Sequence, residues 1–455
     1  MFSHLLVVTC AAGLGLASSI GKRQSQTATV NLSHMQGAPQ HFASGFLYGI
    51  PDTPNQIPSH FYSEIAFNYG RAGGAQLPAK GYMDGVEEYQ PRFASMLSNY
   101  RTCRQFGAEF IVLLHDLWGA DGSESQSDLF PGDNGDWSTW DNFLDQVVSD
   151  MRANNMTAAV KVDIWNEADG GGFWLRDRSQ FLAMYSRTHN TLRNIFPEAQ
   201  IFGPTFTGQP DPNNVWWTDW LSMIASNNMI PDVYCWHLIR QPGGSGGDDI
   251  TFSRGVFEQM LQQFGLPSRP INIDEYGSPE EQVPASSAWF MARFERNNIH
   301  GLRSVWTGGP SLHDFMTDLL GRTGDGVYFP AGEWQVYRYY GTNMTGNRVE
   351  TSPSADGFFD VYATASDRVR ILGSAHTQTG SYTVNVDGMA DFGFDTHGTV
   401  NVQTREFPYA GLRGEVDGPI DHGVSQISFD NNQLVIPAII SVNTSAYAWE
   451  VFRIE

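Results

Sequence analysis

Eight short apolar runs, each separated from the next by a stretch with helical spacing, set the strongest limit on how this chain can fold. They are Phe42 to Ile50, Phe67 to Gly70, Phe110 to Leu114, Ala158 to Ile164, Ile201 to Pro204, Val233 to Trp236, Pro270 to Ile273 and Leu302 to Trp306. Between them lie patterns such as Phe181, Tyr185, Thr188, Leu192 and Ile195, whose spacing puts them on one helical face. Near-continuous apolar strands joined by helices indicate a parallel sheet covered on its outside. Eight such units predict an α/β chain built as a (β/α)₈ TIM barrel, although an open doubly wound sheet gives the same alternation.

After Gly308 the pattern changes. Val369 to Leu372, Tyr382 to Val386 and Leu434 to Ile436 are short strand-like segments, two of them alternating, among Gly, Asp and Asn turns, which suggests a C-terminal antiparallel β-sandwich. The expected partition is a (β/α)₈ catalytic domain over residues 24–330 and a β-rich accessory domain over 331–455. No Ser/Thr/Pro-rich tether lies between them, so the second is expected to pack directly on the first. A stabilising role fits that arrangement; an independent carbohydrate-binding module is the alternative.

The first residues read as an export signal. A single His precedes the apolar run Leu5 to Leu16, which ends in Ala17, Ser18 and Ser19 and is too short to span a bilayer. Residues 1–19 are therefore expected to be a signal peptide, with a second processing site after the dibasic Lys22-Arg23. Sequons at Asn31, Asn155, Asn343 and Asn443 agree with a secreted, N-glycosylated protein. Cys103 and Cys235 are expected to be buried free thiols. A formal charge of −22, from 27 Lys+Arg and 49 Asp+Glu, repels nucleic acid and anionic membranes, so neither is an expected partner. With 13 Trp, the chain has flat apolar faces that can serve the core or stack on sugar rings.

Two segments carry chemistry. In K-V-D-I-W-N-E-A-D-G-G-G a strand through Ile164 runs into Asn166 and Glu167, and in P-I-N-I-D-E-Y-G another ends at Glu275. The C-terminal ends of barrel strands are where reacting groups collect. Each carboxylate alone could be a helix-cap or surface acid. Together they supply what acetal hydrolysis requires: one neutral acid to protonate the departing oxygen and one carboxylate to attack or stabilise the oxocarbenium-like centre. Asn166 is placed to bond a sugar 2-hydroxyl.

An Asn-Glu closing the fourth strand and a lone Glu closing the seventh resemble clan A of the glycoside hydrolases. Within it the chain is most similar to family 39, the β-xylosidases and α-L-iduronidases. The resemblance covers Phe42 to Trp306 and extends to the β-rich C-terminal region. It implies that Glu167 is the acid/base and Glu275 the nucleophile of a double displacement, and that His237 binds substrate. Ala168 stands where Pro commonly follows the motif's Glu, and Asp274-Glu275-Tyr276-Gly277 departs from the usual wording. Both departures bear on the substrate more than on the chemistry.

Other strand-end residues fit a sugar pocket. Arg71 could orient the nucleophile or form a surface salt bridge. His115 and Asp116 could bind glycone hydroxyls or be structural. Tyr276 could bond the nucleophile or pack, and Trp306 could floor the sugar or lie in the core. No His-x-x-x-His pair and no phosphate-binding setting for the glycine runs at Gly170 to Gly172 and Gly243 to Gly247 is present, so neither metal nor cofactor is expected. The resulting expectation is a secreted O-glycosyl hydrolase on carbohydrate, β-xylosidase-like. Its rivals are an endo-acting glycanase or transglycosylase, which the long loop Gly119 to Trp137 would suit, and a non-catalytic carbohydrate-binding wall protein.

Overall fold

The computed structural model describes residues 26–239 and 249–454. The expected signal at Met1 to Ser19, the Lys22-Arg23 site and the glycine run at Gly243 to Gly247 lie outside the described residues.

Each of the eight apolar runs overlaps a strand: Gly45–Leu47, Tyr69–Ala72, Glu109–Leu113, Val160–Asp163, Gln200–Phe206, Val233–Leu238, Ile271–Tyr276 and His300–Arg303. They pair in parallel in chain order, and the first returns to the last, with Gly45 opposite Leu302. That closure makes the sheet a barrel and excludes the open doubly wound alternative. Ile111, Phe202, Cys235 and Leu302 fill part of its interior. Helices such as Val86–Gln105, Ser138–Ala153 and Arg178–Ile195 cover the outside, burying faces such as Phe181, Tyr185, Thr188 and Leu192. Cys103 and Cys235 are buried and unbridged.

Both expected domain boundaries shift. The last barrel helix, Gly332–Thr342, lies beyond residue 330; its Trp334 donates to the Phe61 carbonyl at 3.1 Å and its Tyr337 meets Tyr276. These contacts with the barrel carry it to Thr342, past the expected boundary at residue 330. At the other end, Thr27–Met35 is not part of the barrel. It lies inside the C-terminal sheet between Asn347–Ser352 and Gly380–Asp387, antiparallel to the first and parallel to the second. The accessory sheet is thus mixed rather than wholly antiparallel. Its buried Ala28, Val30 and Leu32 alternate with half-buried Thr27, Thr29 and Asn31, so the strand has one core face to satisfy.

The sheet has nine strands in the order Ile420–Phe429, Gly398–Phe407, Ala446–Phe452, Val369–Ala375, Phe359–Ala365, Asn347–Ser352, Thr27–Met35, Gly380–Asp387 and Gln433–Ile440. Its two outermost strands follow each other in the chain across a turn at Asp430, so the row doubles back into a sandwich over Val30, Val361, Ile371, Val384, Val402, Ile436 and Val451. The sandwich packs directly on the barrel. Tyr362, Leu372, Ala446 and Ala448 belong to the same apolar cluster as the barrel helices. Pro284–Asn297 is buried on almost every side between them. Arg296 and Arg293 of that helix meet Asp360 of the sheet, with Arg296 Nη1 2.9 Å from Asp360 Oδ2 and Arg293 Nε at 3.3 Å.

Candidate active site

A cavity of about 360 Å³ opens at the C-terminal end of the barrel. It is lined by residues from well-separated parts of the chain because each barrel strand delivers its last side chains to the same rim. Leu47, Leu113, Ile239, Val305 and Leu312 make it partly apolar, and Arg71, His115, Asp116, Asn166, Glu167, Glu275 and Trp306 give it polar and aromatic groups.

Glu167 follows the fourth strand in a left-handed backbone conformation, φ 45°, with its N–H donating to the Thr205 carbonyl at 2.9 Å. A non-glycine residue held there stores strain that the neighbouring strand must offset. Glu275 lies within the seventh strand. The two carboxyl groups converge: one oxygen of each, together with a ring nitrogen of His237, lie within 4.8 Å of one another. Their side chains are 19% and 12% exposed, enough to meet a ligand in the cavity while shielded from bulk water.

Arg71, from the second strand, is buried and joins the two acid-bearing strands. Its Nη1 donates to Glu275 Oε1 at 2.7 Å, and its Nη2 donates to Asp163 Oδ2 and to Asn166 Oδ1, each at 2.7 Å. It therefore pins the nucleophile candidate instead of forming a surface salt bridge. Because a guanidinium only donates, Asn166 must turn its oxygen toward Arg71, which leaves its NH₂ as the group presented to the cavity. Burial works against the Arg71 charge, but Asp274, Asp163 and Glu275 hold the guanidinium ionised.

His237, in the sixth strand, is buried and stands between the carboxylates. Nδ1 lies 2.7 Å from Glu167 Oε1, and Nε2 lies 3.6 Å from Asp274 Oδ1 and 3.7 Å from Glu275 Oε1. Burial alone would depress the imidazole, but Glu275, the Glu167 hydrogen bond and charge, and Asp274 push it up to about 9. For Glu167, burial is likewise overridden: the hydrogen bond from His237, then the charges of His237, Arg71 and His115, hold it below the usual carboxylate range. The proton thus sits on the His237 side of a short Glu167–His237 hydrogen bond.

His115 and Asp116 lie on a short helix, Leu114–Trp118, that follows the third strand. Asp116 Oδ2 accepts from Tyr48 and its Oδ1 is 3.1 Å from His115 Nε2. His115 Nδ1 is buried with no hydrogen-bond partner among the described residues. Trp306 is 44% exposed, not core, and its indole N–H donates to the Gly277 carbonyl at 2.9 Å, which fixes the ring at the rim.

Tyr276 does not join the site. Its hydroxyl contacts Tyr337 at 2.5 Å and its ring lies between Phe290 and Phe294, in the helix layer. Strand alternation sends it to the opposite side from Glu275, so it packs and does not bond the nucleophile candidate.

Sequence reasoning missed Tyr48, Asp121, Asp163 and Asp274. The last two were signalled by acids inside apolar strands, a placement that demands a buried partner.

His237, Glu167 and Glu275 are also, among the described residues, the one grouping of His, Cys, Asp and Glu spaced to ligate a metal. Two contacts turn it toward proton transfer. His237 Nδ1 is engaged by Glu167, and the Arg71 guanidinium, 2.7 Å from Glu275 Oε1, already sets a fixed positive charge beside the grouping.

No protein-family model matches the chain. It is 20% identical, over 94% of its length, to 3-O-beta-L-arabinopyranosyl-alpha-L-arabinofuranosidase of Bifidobacterium pseudocatenulatum, and spans 48%, about half, of that relative. A solved structure from Neocallimastix frontalis matches with a TM-score of 0.75 at 23% identity, covering 94% of this chain and 99% of the other. The glycoside hydrolase family 39 enzyme from Xanthomonas axonopodis pv. citri gives 0.59 at 15% identity, covering 97% and 100%. A monomeric beta-xylosidase from Caulobacter crescentus gives 0.56 at 15% identity, covering 94% and 100%. The chain thus has the fold of family 39 glycoside hydrolases, as its sequence resemblance implied.

Proposed function

We propose that this chain is a retaining O-glycosyl hydrolase with Glu275 as nucleophile and Glu167 as acid/base. The observation that carries the reading is the 4.8 Å limit on the distance between a Glu167 oxygen and a Glu275 oxygen. Retaining glycosidases hold their two carboxyl groups about 5 to 5.5 Å apart, whereas inverting ones need about 6.5 to 9.5 Å to admit a water between them. The close pair favours direct attack.

In the first step Glu275 attacks the anomeric carbon and the bond to the leaving oxygen breaks. Glu167 protonates that oxygen with a proton drawn across the 2.7 Å bond from His237 Nδ1. Arg71 holds the attacking carboxylate in place through their 2.7 Å hydrogen bond, and the Asn166 NH₂ is available to a 2-hydroxyl. In the second step Glu167, now a carboxylate, takes a proton from water. The oxygen of that water bonds the anomeric carbon, the ester to Glu275 breaks, and the sugar leaves with its configuration retained.

The substrate proposed is a neutral poly- or oligosaccharide, with β-xylosides first because β-xylosidases share this fold. An α-L-arabinofuranoside is the second choice, on the curated relative named above. The reading includes secretion through residues 1–19 and glycans at the four sequons. Asn155 and Asn443 are exposed, while Asn31 and Asn343 are partly so.

The test is nitrophenol release from a panel of aryl glycosides, with NMR identification of the first anomer formed. Retention is expected, and Glu275→Ala is expected to abolish turnover. Glu167→Ala should hurt substrates with good leaving groups less than natural ones, because they need little protonation. A first-formed product of inverted configuration sinks the proposal.

A further inference from the structure

Asp274 is the residue the mechanism leaves unused. It adjoins Glu275 in the seventh strand, is completely buried, and neither carboxylate oxygen has a hydrogen-bond partner among the described residues. A buried carboxylate without hydrogen bonds is costly, so its presence calls for an explanation. Two basic groups lie within 4 Å of it, His237 Nε2 at 3.6 Å and Arg71 Nη2 at 3.7 Å, and His237 Nε2 is itself buried without a hydrogen-bond partner among the described residues. The two nitrogens of one imidazole therefore face two acids: Nδ1 faces Glu167, and Nε2 faces Asp274.

We propose that Asp274, His237 and Glu167 form a proton relay in which Asp274 holds a proton on His237 Nε2 and leaves Nδ1 to exchange a proton with Glu167. The idea rests on the hydrolase reading given above. Asp274 touches no substrate and is a positioning residue. Its charge acts across 3.6 Å in a dry interior, where screening is weak.

The balance is simple. Before reaction His237 carries protons on both nitrogens and Glu167 is ionised. One proton crosses from Nδ1 to Glu167 and on to the leaving oxygen, and His237 is left neutral with its proton on Nε2. When water is split, Glu167 takes a proton and passes it back to Nδ1.

Asp274 matters most between these steps. In the free site Nε2 faces both Glu275, at 3.7 Å, and Asp274. Once Glu275 is bound up in an ester its charge is gone, and Asp274 is then the carboxylate that keeps the proton on Nε2. Without it the remaining proton can move to Nδ1, which would leave Glu167 facing a donor with nowhere to return its proton.

The charged and titratable groups around Asp274 are Arg71 from the second strand, Asp163 from the fourth, His237 and Cys235 from the sixth, and Glu275 from its own strand. His115 and Asp169 face Glu167 as well. Burial first, with Asp163 and Glu275 adding to it against Arg71 and His237, pushes Asp274 up to about 6, so it is charged through neutral and alkaline pH.

The experiment is the pH profile of kcat/KM for Asp274→Asn and Asp274→Ser, each checked for folding by thermal unfolding, on one aryl glycoside with a good and one with a poor leaving group. Removing the charge lowers the proton affinity of the Glu167–His237 pair. The basic limb should move to lower pH by on the order of one unit, and kcat on the good leaving group, for which breakdown of the ester limits turnover, should fall roughly tenfold more than on the poor one. In a His237→Gln background the same Asp274 substitution should have no further effect on the limb. An unmoved limb in a folded Asp274 variant, or an undiminished effect without His237, overturns the relay. If neither Asp274 variant folds, His237→Gln alone decides: the wild-type basic limb should vanish from its profile, and survival at the same pH overturns the proposal. An active wild type with an unmoved limb defeats the relay alone, whereas a wild type inactive on every glycoside defeats the hydrolase reading and the relay with it.

Discussion

His237 Nδ1 and Glu167 Oε1 are 2.7 Å apart, and the hydrogen bond between them makes the acid/base candidate one half of a shared proton site. Burial, which opposes the imidazolium, is outweighed by three carboxylates, and the result is a pKa of about 9. Activity on glycosides is therefore expected to fall as pH rises through about 9, where the Glu167–His237 pair loses the proton that the leaving oxygen needs. A kcat/KM profile from pH 4 to pH 10 checks this; a basic limb near pH 6.5, the ordinary imidazole value, would mean that the carboxylates do not act on His237.

Arg71 has no exposed surface on its side chain and neutralises a group of three acids contributed by two strands. Arg71→Met leaves Asp163 and Glu275 without their hydrogen-bonded cation. Breaking a buried pair in this way typically costs about 3–5 kcal/mol, and turnover should drop by at least roughly a hundredfold as the nucleophile loses its anchor. Denaturant unfolding and steady-state kinetics measure the two effects separately. A stable, active variant would show that the cluster does not depend on that charge.

Trp306 sits at the cavity rim with nearly half its surface free, so little packing is lost if it is truncated. Trp306→Ala is expected to raise KM about tenfold, equivalent to ~1.4 kcal/mol of lost stacking, with kcat and melting temperature close to wild type. A fall in kcat alone would place the ring at the reacting centre and not under a bound sugar.

Asp360 belongs to the sheet but is held by two arginines of the barrel helix Pro284–Asn297. Asp360→Asn removes the shared counter-charge from a contact that is buried on the sheet side. A loss of about 3–5 kcal/mol is expected, with calorimetry showing an earlier transition that splits as barrel and sandwich uncouple. A single transition at the wild-type temperature would show that apolar packing alone holds the two together.

The barrel was legible because parallel strands are buried on both faces and so appear as apolar runs, as Val233 to Trp236 does. Glu167 and Glu275 were legible because those runs ended on them. Tyr276 was not, since only the strand's phase relative to the helix layer sends its hydroxyl to Tyr337. Asp163 and Asp274 were visible as acids in or beside such runs, but what they pair with was not. Their partner Arg71 lies 92 residues from Asp163, so nothing local shows why an acid is tolerated there. The placement of Thr27–Met35 was equally hidden, because a polar-apolar alternation says that a strand has one core face but not which core.

That first strand has a consequence for how the molecule is made. Thr27–Met35 is ready early in synthesis, yet both its neighbours in the sheet, Asn347–Ser352 and Gly380–Asp387, emerge only after the whole barrel has been translated. Until then its apolar edge has nothing to pair with on its own ribosome, and the long loop it closes makes the pairing slow. Maturation of this protein is therefore gated by chain completion, and the interval before the C-terminal strands appear is when a chaperone has most to protect.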